Sequence, residues 1–121
     1  MNKKILVVED TEDNRQILRD LLTAAGYDMI EAHDGAEGVA KASEHSPDLI
    51  LMDIQMPVMD GYEATRRIKA DPALKAIPVI AVTSYALSGD EDKARAAGCD
   101  GYVAKPFSPR QMLAKVREIL G

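Results

Sequence analysis

The chain has one cysteine, Cys99, among its 121 residues, so it can form no internal disulfide and offers no cysteine-rich zinc site. Histidine is nearly as scarce. His33 and His45 are too few for a histidine metal cluster, and a Ser/His/Asp or Cys/His nucleophile system would have to recruit one of them. Long hydrophobic runs are absent too: stretches such as Ile5 to Val8 and Leu49 to Met52 fall far short of the ~20 residues of a membrane span. The basic start Met1-Asn2-Lys3-Lys4 runs through four apolar residues straight into Glu9-Asp10. That lacks the longer apolar core and small-residue cleavage site of a secretory signal, so a cytoplasmic protein is expected. Positive charge is not in surplus. Fifteen Lys and Arg stand against 20 Asp and Glu, a net charge of −5, which disfavours a nonspecific grip on a nucleic-acid backbone.

What is present is an ordinary globular composition, 46% hydrophobic and 29% charged, and a length that fits one domain over residues 1–121. Five short apolar runs recur: Ile5 to Val8, Tyr27 to Glu31, Leu49 to Met52, Val79 to Val82 and Gly101 to Ala104. The first, third and fourth are continuous, the pattern of strands covered on both faces of a parallel sheet. The second carries acids and reads as an edge strand. Helical patterns lie between them. Ile17, Leu18, Leu21, Leu22 and Ala25 follow one helix face that Gly26 is placed to end. Met112, Leu113, Val116, Ile119 and Leu120 do the same near the C-terminus, after Ser108 as N-cap, Pro109 in the first turn and Gln111 completing a capping box. Asp34 with Glu37, Asp60 with Glu63 and Ser88 with Glu91 repeat that three-residue offset. The alternation predicts a single α/β domain with right-handed crossovers.

In such a sheet, ligands bind beyond the carboxyl ends of the strands. Strand one ends in Glu9-Asp10, strand three in Asp53, strand four in Thr83 and strand five in Lys105-Pro106. Three carboxylates on one rim repel one another, and a hard divalent cation resolves the conflict. Magnesium prefers oxygen ligands and is held by one or two carboxylates together with substrate phosphate. Asp10 and Asp53 are placed as direct ligands and Glu9 as a ligand through water. The hydroxyl of Thr83 and the ammonium of Lys105 suit the oxygens of a phosphoryl group. The constellation predicts magnesium-dependent phosphoryl chemistry with a carboxylate as nucleophile.

The set Glu9-Asp10, Asp53, Thr83 and Lys105-Pro106 resembles the receiver domain of bacterial two-component response regulators, the CheY-like superfamily, over essentially the whole chain. The resemblance implies a five-stranded doubly wound parallel sheet of order 2-1-3-4-5, the flavodoxin-like arrangement. It implies that Asp53 accepts a phosphoryl group from the phosphohistidine of a histidine kinase or histidine phosphotransfer protein. Magnesium would then be bound by Asp10, Asp53 and the backbone carbonyl of Gln55, and the phosphoryl oxygens by Thr83 and Lys105. Tyr102 stands where the family carries an aromatic switch coupled to Thr83; ordinary core or edge packing is the alternative for it. The Lys105-Pro106 bond is cis in relatives. Glu9, in place of a first Asp, is a common variation.

The resulting expectation is a phosphorylation-controlled switch that binds a downstream protein, as a monomer or weak dimer, with no nucleic-acid or membrane partner. It is not an enzyme in its own right, although self-phosphorylation from small donors and self-dephosphorylation are expected. No output domain follows the last helical pattern, so a stand-alone regulator is the first reading and a receiver excised from a hybrid kinase or larger regulator the second. An aspartyl-phosphate hydrolase would carry an acid at Gln55, and a flavin site would not place Glu9 to Asp13 after strand one. Spacing alone singles out Gln55 and Tyr85, each two residues past a strand end, as tuning hydrolysis. Tyr85 would shield the site or pack on the next helix; Gln55 would orient the attacking water or occupy its place. Glu12 and Asp13 read as first-turn acids, Cys99 as a small packed side chain, His33 and His45 as surface groups, and Arg66-Arg67 as a solvated helix face.

Overall fold

The computed structural model describes residues 2–83 and 90–120. Strands β1 (Lys4–Val8), β2 (Asp28–Ala32), β3 (Leu49–Asp53), β4 (Val79–Thr83) and β5 (Gly101–Ala104) alternate with helices α1 (Glu12–Ala24), α2 (Gly35–His45), α3 (Gly61–Ala70), α4 (Asp90–Ala97) and α5 (Pro109–Leu120). All strand pairs are parallel, and the order across the sheet is β2-β1-β3-β4-β5. This is the expected doubly wound fold. The continuous apolar runs become strands buried throughout, β3 and β4 at every position, because helices cover both faces.

Side chains of each strand alternate between two cores. Leu6, Val8, Ile50, Met52, Val79 and Ala81 face Ala42, Ala64, Ile68 and Ala94 of α2, α3 and α4. Ile5, Val7, Leu49, Leu51, Ile80 and Val82 face Leu18 and Leu22 of α1 and Met112 and Val116 of α5. β2 is an edge, as its acids indicate, but it begins at Asp28 and runs to Ala32; Tyr27 instead packs partly against the second core. One expected core residue is corrected. Ile17 is 53% exposed, because the buried stripe of α1 runs through Leu18 and Leu22 and Ile17 sits at its margin.

The helix ends follow the local chemistry. Gly26 takes φ +92° after α1, the left-handed geometry that glycine adopts without penalty. Asp34 and Asp60 accept from the backbone N–H of Glu37 at 2.7 Å and Glu63 at 2.9 Å. Ser108 and Gln111 form the reciprocal capping box, at 3.1 and 3.0 Å. Ser88 lies outside the described residues.

Two lysines fasten the end of the sheet where the strands begin. Lys4 Nζ donates to His45 O at 2.8 Å, and its backbone N–H donates to Asp48 Oδ2 at 2.8 Å. Lys69 Nζ donates to Ile77 O at 2.8 Å, Lys75 O at 3.1 Å and Asp100 Oδ2 at 2.9 Å. Asp100 in turn accepts from Val79 N–H at 2.9 Å. No helix among the described residues is long and apolar enough to cross a membrane.

Candidate active site at the carboxyl ends of the strands

Parallel strands in register bring their carboxyl ends to one rim, and β1, β3 and β4 deliver Glu9-Asp10, Asp53 and Thr83 there. Glu9, Asp10 and Asp53 each offer a carboxylate oxygen within 4.8 Å of the others. Glu9 and Asp53 are buried, each about 3% exposed, whereas Asp10 is exposed. Lys105 follows β5 through a cis peptide bond to Pro106. Its ammonium lies between the two buried acids, 3.0 Å from Glu9 Oε1 and 3.3 Å from Asp53 Oδ1. The lysine thus bridges the two buried acids.

Glu9 is held at both oxygens. Oε1 also accepts from Asn14 Nδ2 at 3.4 Å, and Oε2 accepts from Thr11 N–H at 3.1 Å. Burial alone would push its carboxyl up, but the hydrogen bonds from Lys105 and Thr11 outweigh this and hold it below the usual carboxylate range. Asp53 goes the other way. Burial first, and then the Glu9 charge, push its carboxyl up to about 7 against the partial relief that Lys105 provides. Asp10 is raised by burial and by its hydrogen bond and charge interaction with Glu9. Burial lowers Lys105, but the bond to Glu9 and the Asp53 charge more than compensate, and its ammonium is raised. A carboxyl poised near neutrality beside two further acids is the frustrated arrangement that a divalent cation relieves. The donor set is all oxygen, with an exposed aspartate for access, and it fits magnesium chemistry.

Gln55 links two of the strand ends. Its side-chain Nε2 donates to Thr83 Oγ1 at 2.6 Å, and its backbone N–H lies 3.3 Å from Asp53 Oδ1. Tyr102 packs partly buried against the first core; in the β4–β5 register it stands opposite Ala81, two positions before the Thr83–Ala104 pair. Tyr85 lies outside the described residues. Cys99 is packed, its Sγ 3.8 Å from Thr65 Oγ1 and its thiol pushed up by burial. His33 pairs at the surface with Glu37 at 2.5 Å, and Arg66 and Arg67 are exposed partners of Glu63.

Sequence reasoning missed Asn14 and Arg15, the second of which donates to the Glu9 backbone carbonyl at 2.6 Å. Their signal was modest: a polar pair one helical turn beyond the acids. It also missed a cavity of about 480 Å³ beside the acids, walled by Ile17, Leu18, Val82, Pro106 and Phe107.

The fold and the rim define a class. The model of the response regulator receiver domain matches residues 5–117, and the chain belongs to that family, whose members are phosphoacceptor signalling switches. Its segments 48–61 and 98–106 look most like the polar-differentiation response regulator DivK and the receiver domains of hybrid kinases. The chain is 46% identical to DivK of Brucella ovis over 121 residues, all of this chain and 98% of that protein. DivK of Brucella anthropi matches at the same identity and coverage. Two solved structures share the whole fold. The chemotaxis protein CheY4 of Vibrio cholerae superposes with a TM-score of 0.93 at 31% identity, covering 98% of this chain and 99% of that one. The receiver domain of the sensor histidine kinase PA1611 from Pseudomonas aeruginosa PAO1, which has a magnesium ion coordinated in its active site cleft, superposes with a TM-score of 0.93. Its identity is 36%, covering 100% of this chain and 99% of that one.

Proposed function

We propose that Asp53 is the phosphoacceptor of this receiver, and that residues 1–121 act as one cytoplasmic switch unit. The observation that carries the reading is the buried Asp53 carboxylate, set within reach of the Lys105 ammonium and beside two further acids. An oxygen of Asp53 attacks phosphorus in the phosphohistidine of a kinase or phosphotransfer protein. The phosphorus–nitrogen bond breaks, and imidazole leaves with the bonding pair. Lys105 and Thr83 hold the phosphoryl oxygens, whose charge is spread in the transition state. Asp10, Asp53 and the Gln55 carbonyl would hold magnesium directly, and Glu9 through water; when bound, the ion neutralises charge on the phosphoryl oxygens.

Thr83 and Tyr102 then carry the change to a downstream protein, because a switch needs different affinities in its two states. Gln55 and Tyr85 tune hydrolysis, which the domain performs on itself. The partners are a histidine kinase or phosphotransfer protein and a protein target, not nucleic acid or membrane, and the chain is a monomer or weak dimer. A second reading, a receiver belonging to a hybrid kinase, draws support from the likeness to the PA1611 receiver. The test is labelling by a small phosphodonor with magnesium. Wild type should gain one hydroxylamine-labile phosphate, and equal labelling of Asp53→Asn would refute the assignment. Tyr102→Ala should keep phosphorylation but lose the phospho-dependence of target binding.

A further inference from the structure

The pairing of β1 with β2 ends at Val8 opposite Ala32. One further bond continues it, Glu9 N–H to Ala32 O at 3.0 Å. Beyond this the chain of β2 turns away into α2, and the Glu9 carbonyl needs a donor from elsewhere. Arg15 provides it: Nη1 donates to Glu9 O at 2.6 Å. The same guanidinium is 2.6 Å from Glu12 and 3.4 Å from Glu31, and Arg19 is 3.4 Å from Glu12 and 2.5 Å from Glu31. Two arginines and two glutamates thus close a ring in which each cation meets each anion. The Arg15 side chain is only 13% exposed. The planar guanidinium spreads its donors over three nitrogens in a rigid fork and so meets a carbonyl and two carboxylates at separate places, whereas a lysine's three donors share one nitrogen.

We infer that Arg15 is a positioning residue for the metal-binding acid pair, acting through the Glu9–Asp10 peptide. The inference rests on the proposed site at Glu9, Asp10 and Asp53. The carbonyl of Glu9 and the N–H of Asp10 belong to one rigid plane. Fixing the carbonyl therefore fixes the peptide plane from which the Asp10 Cα departs, and with it the point from which its carboxylate reaches toward Asp53. Arg19 belongs to the same ring but has no bond to that peptide among the described residues, so it is the natural control.

The experiment titrates magnesium into isotope-labelled full chain and follows amide resonances, comparing wild type, Arg15→Lys, Arg19→Lys and Asp10→Asn. Both lysine variants keep the net charge, so a change in affinity reports geometry rather than field. Arg15→Lys should weaken magnesium binding about tenfold, the lower end of what loss of an outer partner of a metal ligand costs. Arg19→Lys should leave the affinity unchanged. In the metal-free protein, the Glu9 carbonyl carbon should shift in Arg15→Lys and not in Arg19→Lys. Wild-type affinity in Arg15→Lys, or equal weakening in both lysine variants, overturns the positioning role. Undiminished magnesium binding in Asp10→Asn overturns the site reading itself, which separates the two failures.

Discussion

Gln55 spans the gap between β3 and β4, its side-chain amide 2.6 Å from Thr83 Oγ1 and its backbone N–H 3.3 Å from Asp53 Oδ1. The residue two positions past the proposed phosphoacceptor is thereby tied to the proposed switch threonine. An amide donating to Thr83 fills space over the rim, which favours a shielding role over orienting a water.

Gln55→Ala is therefore expected to shorten the lifetime of the phosphorylated protein. A net hydrogen bond of ~1 kcal/mol corresponds to about fivefold in rate. Loss of labelled phosphate from purified protein in magnesium, without kinase, measures it. A lifetime equal to or longer than wild type would count against shielding.

The pH dependence of the metal-free protein follows from Asp53. Its folded carboxyl is raised to about 7 from an ordinary 3.8. Between those values the folded state keeps a proton that the unfolded chain has released, so stability falls as pH rises across the window. Glu9 is lowered and acts in the opposite sense: its contribution is lost as pH falls through its folded value. Subtracting the melting profile of Asp53→Asn from that of wild type isolates the Asp53 part, which should decline from about pH 4 to about pH 7. Magnesium needs ionised carboxylates, so its stabilising effect should grow over the same interval. A flat difference profile contradicts the buried, repelled Asp53 described above.

Gly61 opens α3 against the backbone at the end of β3, which carries the proposed phosphoacceptor Asp53. A Cβ there would stand 2.3 Å from Asp53 O and 2.9 Å from Ile54 Cα, so backbone must move. Gly61→Ala should cost about 2–3 kcal/mol in urea unfolding. The rate of labelling by a small phosphodonor should drop as well, since the displaced atoms carry Asp53. A variant of wild-type stability would show that the contact is slack.

Val58 sits at φ +68° and is fully exposed. A β-branched side chain in the left-handed region is strained by about 1–2 kcal/mol, and asparagine tolerates that region better. Val58→Asn should stabilise the metal-free protein by about 1 kcal/mol, read from urea unfolding. A loss of stability would mean that the valine makes contacts its exposure does not show.

The fold was legible because β3 and β4 are unbroken apolar runs ending in a single polar residue each, Asp53 and Thr83. The sheet order came with the family resemblance rather than from periodicity. The rim acids were legible for the same reason, since a strand end is a fixed address in this architecture. What could not be read were contacts that depend on side-chain reach. Nothing in the spacing says that Lys105 sits between Glu9 and Asp53, that Gln55 turns to Thr83, or that Arg15 reaches back to a carbonyl. Ile17 was misplaced because a helical stripe has soft margins, and a residue one position from Leu18 lies about 100° round the helix.

The lysine fastenings at Lys4 and Lys69 have a consequence for how the native state opens. They secure the strand origins to neighbouring loops, at the pole of the sheet away from the acids. At the acid pole, like charges oppose closure. Local openings of low free energy should begin at the rim and leave the far pole protected. In such a molecule, breathing and signalling draw on the same soft region, and the lysines keep the rest of the sheet from following.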